Sequence, residues 1–277
     1  MFTGQHPKPV LQQLVSSQLD VDRLDYLKRD SFFTGVYEGA VGIERILKTM
    51  RVFNNHIVIE KKGIYAIENY ILARRLMYMQ VYLHKTVLSA DQLLRNIMRR
   101  AEYLNDNGHE LPFSSPSLAF FFNQKPTASE GLSSEVIDHY LNIDDQDIFL
   151  SIRLWQNSDD PVLADLSYRF INRKLFRTTF LKNGPNESIQ HDMKQKTKDW
   201  LKNSQLPARD DIIPYYLGFE ESYSEAYRYK NDSIWILEDQ QEAVEFSKSA
   251  DTQHIIALTQ PVVKPYVVHV KDIATDR

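Results

Sequence analysis

The stretch "LDVDRLDYLKRD", Leu19 to Asp30, places four aspartates, three basic residues and one tyrosine within twelve residues. On a helix each residue turns by about 100°, so residues four, seven and eight positions apart share a face. One such face is polar and ionisable, and it carries Asp22, Tyr26, Arg29 and Asp30. Leu24 and Leu27 point away from that face. The stretch therefore predicts a helix with one ionisable stripe and one apolar stripe.

Two interpretations of the ionisable stripe stand side by side. In the first, it is a solvated face whose Asp–Arg pairs contribute roughly 0.3–0.5 kcal/mol each. In the second, one carboxylate is a hard ligand for a divalent cation. Asp22 then faces a cavity that it shares with Tyr26 and Arg74, and the tyrosine lines the pocket one turn after the ligand. The position of the Asp22 carboxylate, inward or in bulk water, distinguishes the two interpretations.

A second stripe lies in "ARRLMYMQVYLHK", residues 73–85. The same helical arithmetic places two cations and two phenols on one face, namely Arg74, Tyr78, Tyr82 and Lys85. A planar arginine fork and a mobile lysine charge together suit phosphate groups, and tyrosines stack on a sugar or base or hydrogen-bond to it. The alternative is a half-buried helix whose long side chains reach past apolar surface to water. His84 points away from this face, which favours a structural or interface role.

Helical periodicity dominates the first two thirds of the chain. Helices are predicted at residues 10–32, 43–53, about 67–104, 133–142, 145–156 and 160–176. The longest of them carries a break signal near Ser89 and Asp91. Before it, Lys61-Lys62-Gly63 separates two short apolar runs, a pattern typical of a small β-hairpin.

The chain after residue 180 has a different pattern. A polar segment, residues 181–200, indicates a junction. Three short β-type runs follow it, "SIWILE", "HIIALT" and "PYVVHV". The sequence thus predicts a mainly α fold: a helical bundle portion with a small β-hairpin over residues 1–180, and a small α+β region over residues 181–277.

The composition is that of a folded globular protein. The chain has 277 residues, 43% of them hydrophobic and 25% charged, with a net charge of −4 and no cysteine. This charge gives no overall basic field, so there is no strong signal for nucleic-acid binding. The absence of cysteine excludes disulfides and thiolate–metal sites. No apolar run approaches the roughly 20 residues of a membrane span, and we expect a cytoplasmic protein without a membrane partner.

The two stripes together resemble the HD-domain phosphohydrolases, specifically the branch of deoxynucleoside triphosphate triphosphohydrolases. "SSQLDVDRLDYLKRDSFFTGV", residues 16–36, is similar to the family's segment that carries the last ligand of its metal site and then substrate-contacting residues. "RRLMYMQVYLHK", residues 74–85, is similar to its later helix of phosphate and sugar contacts. The resemblance covers about residues 10–180 and implies an HD-domain-like helical bundle.

In residues 16–36 the resemblance assigns roles to four residues. Asp22 matches the family's final metal-ligating aspartate. Arg23 matches a basic residue beside the phosphates, and Tyr26 and Asp30 match residues that meet the deoxyribose.

In residues 74–85 the resemblance assigns Arg74 to phosphate binding and Tyr82 to packing against the sugar. His84 and Lys85 match the "HK" that follows this tyrosine in the family. All four residues are therefore candidates for substrate binding.

One departure from the family pattern concerns the metal. The family needs a histidine and a His-Asp pair upstream of the position of Asp22. Here His6 alone among the histidines precedes it, and the one "HD" dipeptide, His191-Asp192, lies downstream in the polar segment, so we interpret that dipeptide as coincidental. The chain is expected to be the C-terminal portion of a longer enzyme that carries only part of the metal site.

The resemblance implies metal-dependent hydrolysis of (deoxy)nucleoside triphosphates by the complete protein. It also implies a divalent ion such as Mg, Mn or Fe, and assembly as a homo-oligomer. The alternative is a catalytically silent module that binds nucleotides or mediates oligomerisation, because a catalytic ion normally needs about three protein ligands and Asp22 supplies one.

Overall fold

The computed structural model describes residues 7–127, 133–227, 233–238, 242–250 and 260–273. The chain divides into two compact units that are interleaved in sequence. The first comprises Met1–His84 and Ser222–Val263, and the second comprises Lys85–Glu221 and Lys264–Arg277. The predicted boundary after residue 180 falls inside the second unit. His6, His254 and the run "HIIALT" lie outside the described residues.

The first two helices correct one prediction. Residues 10–32 were expected to form a single helix, but α1 spans Pro9–Val15 and α2 spans Val21–Thr34. The break occurs because Asp20 has extended backbone and its side chain accepts a hydrogen bond from the Arg23 N–H, as an N-cap residue does. Helix α2 ends where Gly35 adopts a left-handed conformation, with φ of 70°.

A β-hairpin is present in the first unit, but its turn is not at Lys61–Gly63 as predicted. After α3 (Ile43–Thr49), strand β1 (Met50–Phe53) pairs antiparallel with β2 (His56–Glu60). Asn54 and Asn55 connect them with φ values of 48° and 64°, the positive angles that a two-residue hairpin turn requires. The segment Lys61–Gly63 is instead a 3₁₀ turn.

The next helix carries the second stripe. Helix α4 spans Ile64–Met77 and continues into a single π-helical turn, Tyr78–Tyr82. The helical pattern predicted through residue 104 is interrupted, but the chain leaves helical geometry at Leu83 and His84 instead of near Ser89 and Asp91. The helical arithmetic that placed Lys85 on the face of Arg74 does not apply across this break.

The core of the first unit forms around α4. Tyr70 is fully buried there, and its hydroxyl donates to the carbonyl oxygen of Gln18. Leu24 and Leu27 from α2 pack into the same cluster, as the apolar stripe predicted. Strands β5 (Trp235–Leu237) and β6 (Ala243–Glu245) extend the hairpin into a four-stranded sheet of order β1-β2-β5-β6, and the short helix α11 (Phe246–Ser249) follows.

The second unit is mainly helical. Its helices are α5 (Lys85–Asp106), α6 (Pro116–Gln124), α7 (Ser134–Asn142), α8 (Asp145–Trp155), α9 (Pro161–Ile171) and α10 (Glu187–Asn203). Arg100 of α5 donates two hydrogen bonds to Asp160, of 3.0 and 2.6 Å, and the same carboxylate caps α9 through the Leu163 N–H. A buried guanidinium is thus paired in the geometry that makes such a pair strong.

The remaining elements are a helix within the predicted junction and a three-stranded sheet. The predicted polar junction contains α10, which buries Met193, Thr197 and Leu201. A three-stranded sheet has the order β3-β7-β4, made by Arg177–Phe180, Val262–His269 and Leu217–Ser224. The predicted fold class, mainly α with a small hairpin and a small α+β region, is confirmed. Within the described ranges no helix combines the length and apolarity that crossing a bilayer needs.

Two N-cap glycines offer a matched test of packing in the first unit. A Cβ on Gly63 would overlap the side chains of Thr49 and Ile59, whereas a Cβ on Gly42 meets nothing within 4 Å. We expect Gly63→Ala to lower the free energy of unfolding by about 1–3 kcal/mol through overpacking. Gly42→Ala should change it by less than about 1 kcal/mol, because a poorer cap is offset by reduced freedom of the unfolded chain.

Urea unfolding followed by circular dichroism measures both variants. Equal stability of the two variants would show that the close approach of α4 to the hairpin is absent in solution.

Candidate functional site

A buried carboxylate fixes the start of α2. Asp20 is 4% exposed, and both of its oxygens accept hydrogen bonds. Oδ1 accepts from the Arg23 N–H at 2.8 Å, and Oδ2 accepts from the Ser17 N–H at 3.2 Å and from Nε of Arg23 at 3.0 Å. Nε of Arg23 also donates to the Ser17 carbonyl oxygen at 2.8 Å. Asp20 therefore both caps α2 and forms an ion pair with Arg23.

Asp22 does not face inward as the second interpretation of its stripe expected. It lies in the first turn of α2 on the exposed side, while Tyr26 is half-buried and Arg74 is buried. The expectation of a cavity shared by these three side chains is therefore corrected. Asp22 as a metal ligand stays a prediction that rests on the resemblance alone.

Arg74 is a buried arginine of the first unit. It is only 8% exposed, and its buried Nε has no hydrogen-bond partner. Among the described residues no carboxylate pairs with it; its guanidinium lies 5.9 Å from the ring centroid of Tyr78. Burying a charge costs free energy unless an opposite charge or hydrogen bonds compensate it. The side chain is thus placed to receive an anionic partner.

Three tyrosines, Tyr26, Tyr78 and Tyr82, form a chain of ring contacts that reaches Arg74 through Tyr78. The rings of Tyr78 and Tyr82 meet edge to face with centroids 5.2 Å apart, and those of Tyr26 and Tyr82 do so at 6.0 Å. The ring contacts join α2 to the π-helical turn. The π-helical turn places Tyr78 and Tyr82 in direct contact, and Tyr78 is the one whose ring lies beside Arg74.

The hydroxyl of Tyr82 donates to Oδ2 of Asp30 at 2.8 Å. Burial, this hydrogen bond and the charge of the carboxylate all raise the pKa of Tyr82 above its ordinary value. The phenol therefore stays neutral and keeps its proton for Asp30. Two of the three residues that the resemblance assigns to the sugar, Asp30 and Tyr82, thus form one hydrogen-bonded pair.

The charges of Arg74 and Arg23 both affect the pKa of Tyr26. Burial raises the pKa of Tyr26, and the charges of Arg74 and Arg23 both oppose that increase. Burial lowers the pKa of the Arg23 guanidinium, but its hydrogen bond and charge interaction with Asp20 outweigh burial, so this pKa lies above its ordinary value. The Arg23 guanidinium therefore remains charged. We refer to Arg23, Tyr26, Asp30, Arg74, Tyr78 and Tyr82 together as the arginine–tyrosine cluster.

The other two candidate residues have different positions. His84 is exposed at the end of the first unit, and its N–H donates to the Val81 carbonyl oxygen. Lys85 begins the second unit, where its Nζ lies 5.8 Å from the ring centroid of Phe180. Their assignment to substrate binding stays a prediction.

A catalytic divalent ion normally needs about three protein ligands. Within the part of the chain that the structure describes, no three His, Asp or Glu side chains converge to hold a metal ion. His191 and Asp192 are exposed on α10. The described residues therefore do not by themselves fit a catalytic metal centre.

Sequence reasoning missed Asp20 and the isolation of Arg74. An N-cap signal for Asp20 was present, since aspartate is a preferred N-cap residue and Asp20 directly precedes the apolar Val21. The missing partner of Arg74 had no local signal, because it depends on which side chains the fold brings near α4.

Two comparisons bear on the family. Residues 41–109 match the family described as the HD associated region. The crystal structure of a phosphohydrolase from Bacteroides thetaiotaomicron is similar to 97% of this chain, with a TM-score of 0.86 and 36% sequence identity, and the chain covers 65% of that structure. A hypothetical protein from Aquifex aeolicus shares the fold, with a TM-score of 0.59 at 20% identity over 94% of this chain and 57% of that one.

Curated relatives are considerably longer than the matched region. Bacillus subtilis YwfO is 38% identical over 176 residues, which are 64% of this chain and 38% of YwfO. Methanocaldococcus jannaschii MJ1154 is 42% identical over 87 residues, which are 30% of this chain and 19% of that protein. Together with the matched HD associated region and the phosphohydrolase structure, these findings support the predicted HD-domain-like family. They do not distinguish the triphosphohydrolase branch within it.

The hydrogen bond between Tyr82 and Asp30 gives a pH-dependent prediction. Tyr82→Phe should lower the free energy of unfolding at pH 7 by about 1 kcal/mol, because Asp30 loses its donor. The deficit should shrink above pH 10, the ordinary pKa of tyrosine. Unfolded Tyr82 then releases its proton while folded Tyr82 keeps it, so the wild type loses stability with rising pH and the variant lacks this loss.

Urea unfolding between pH 7 and 11 measures the difference. Tyr37→Phe is the control, because Tyr37 is 89% exposed. Parallel pH curves for wild type and Tyr82→Phe would contradict the raised pKa.

Proposed function

We propose that the arginine–tyrosine cluster binds a (deoxy)nucleoside triphosphate, and that the chain forms part of a metal-dependent HD-type phosphohydrolase. The observation that carries the proposal is Arg74, a buried guanidinium whose Nε has no partner. The similarity to a solved phosphohydrolase supports phosphate ester hydrolysis as the general activity.

Phosphate is the anion that suits this arrangement. A guanidinium presents a planar set of N–H donors that matches two phosphate oxygens, and a dry environment strengthens each such contact. Arg23 is the third residue of α2, and the N-terminal end of a helix has positive potential. The cluster thus offers two arginines to one polyanion.

The sugar would lie against the phenols. Tyr82 holds Asp30 by a hydrogen bond, and Tyr26 and Tyr78 contact the Tyr82 ring. A carboxylate accepts hydrogen bonds from a sugar hydroxyl, and aromatic faces stack on a sugar or base. This is the role that the resemblance assigns to Tyr26, Asp30 and Tyr82.

In the proposed reaction water attacks the α-phosphorus, and nucleoside and triphosphate leave. Arg74, with Arg23, offsets the negative charge that grows on the phosphates. Lys85 is proposed as a third cation and His84 as a neighbour of the substrate. A divalent ion is part of the proposal, with Asp22 as one ligand.

A second candidate function has an observation in its favour. Because the described residues bring no three metal ligands together, the chain as it stands is equally suited to bind nucleotides without hydrolysing them. Self-association into a homo-oligomer is proposed in either case.

Arg74 and Arg75 provide a charge-matched test of the binding site. Arg74→Ala should weaken deoxynucleoside triphosphate binding about 10- to 100-fold, because charged hydrogen bonds to phosphate are lost. Arg75→Ala removes the same charge from the adjacent position and should change affinity less than about threefold. Calorimetric titration with each of the four nucleotides, in the presence of EDTA, measures both.

Equal losses in the two variants would indicate a general charge effect and count against the site. Absence of binding by the wild type at millimolar nucleotide would refute nucleotide recognition by this chain.

The two candidate functions differ in turnover. In the complete protein with added manganese, the enzyme hypothesis expects nucleoside and triphosphate as products, and Asp22→Ala abolishes their formation. Asp25→Ala is the control, since Asp25 is an exposed residue of the same helix that pairs with Arg29. The silent-module hypothesis expects binding without product in all three proteins. Full activity in Asp22→Ala would remove Asp22 from the metal site.

A further inference from the structure

We propose that Asp20 is a positioning residue that aims Arg23 at the phosphates of the bound nucleotide. The inference rests on the proposed function and extends it to a residue that does not itself touch the substrate. Its basis is the way in which a single buried carboxylate holds both the backbone and the side chain of Arg23.

The hydrogen bonds of Arg23 all run through one side of its guanidinium. Nε donates to Oδ2 of Asp20 and to the Ser17 carbonyl oxygen. In the described part of the chain neither Nη1 nor Nη2 has a partner, and the side chain is 29% exposed. The Nε edge is therefore anchored in the protein, and the two terminal nitrogens are left for a bidentate contact with phosphate oxygens.

The two arginines of the cluster thus differ in kind. The charge of Arg74 has no internal counter-ion among the described residues, so it supplies net attraction to an anion. The charge of Arg23 is largely balanced by Asp20. Arg23 therefore contributes to binding mainly through the fixed orientation of its guanidinium. A flexible arginine would lose conformational entropy on binding, and an arginine held in advance avoids that loss.

Asp20→Asn tests this without removing the helix cap. The amide oxygen can still accept from the Arg23 N–H, but an NH₂ group replaces Oδ2 and cannot accept from Nε of Arg23 or from the Ser17 N–H. Charge and orientation then act in opposite directions. Loss of a negative charge alone would tighten the binding of a triphosphate, whereas loss of the anchor should weaken it.

We expect Asp20→Asn to weaken nucleotide binding about tenfold or more in calorimetric titrations. In an Arg23→Ala background the same substitution should have no further effect, because the side chain that Asp20 positions is gone. Ser133→Ala is the control for loss of a helix cap, since Ser133 caps α7 in the second unit through the Val136 N–H. It should leave affinity unchanged.

Unchanged or tighter binding by Asp20→Asn would overturn the inference. So would an equal loss in the wild-type and Arg23→Ala backgrounds, which would mark Asp20 as purely structural. Failure of the proposed function gives a different result: the wild type itself would not bind, or Arg74→Ala would bind as tightly as the wild type.

Discussion

The buried carboxylate of Asp20 determines how α2 is presented. A carboxylate that is 4% exposed must find hydrogen-bond donors, and Asp20 finds them in the Ser17 and Arg23 N–H groups and in the Arg23 guanidinium. These bonds fix the segment between α1 and α2, and they set the rotation of α2 about its axis. Leu24 and Leu27 consequently enter the core, and Tyr26 and Asp30 meet Tyr82.

Arg74 turns this packing into a candidate binding site. Arg74 lies on the buried face of α4, which also carries the fully buried Tyr70 and Met77. Its side chain is therefore in a largely apolar environment. The π-helical turn that follows brings Tyr78 and Tyr82 together, and the Tyr78 ring lies beside Arg74. A charge in such surroundings is costly to the free protein, and an anionic ligand recovers that cost. The proposed specificity for phosphate follows from this.

The sequence predicted features that depend on local patterns. The two faces of α2, the helices α7 and α8 and the mainly α class all follow from periodicity within about a dozen residues. Features decided by single residues were missed: Asp20 splits the first helix, Asn54-Asn55 form the hairpin turn, and the π-helical turn separates Arg74 from Lys85. The polarity of α10 hid its narrow buried face. The exposure of Asp22 and the isolation of Arg74 depend on the three-dimensional arrangement, which periodicity does not describe.

A crystal structure of this chain with a non-hydrolysable deoxynucleoside triphosphate tests the central claim most directly. We expect a phosphate group within hydrogen-bonding distance of Arg74 and of the terminal nitrogens of Arg23, with the sugar against Tyr82 and Asp30. A nucleotide bound elsewhere, with the arginine–tyrosine cluster unchanged and Nε of Arg74 still without a partner, would contradict it.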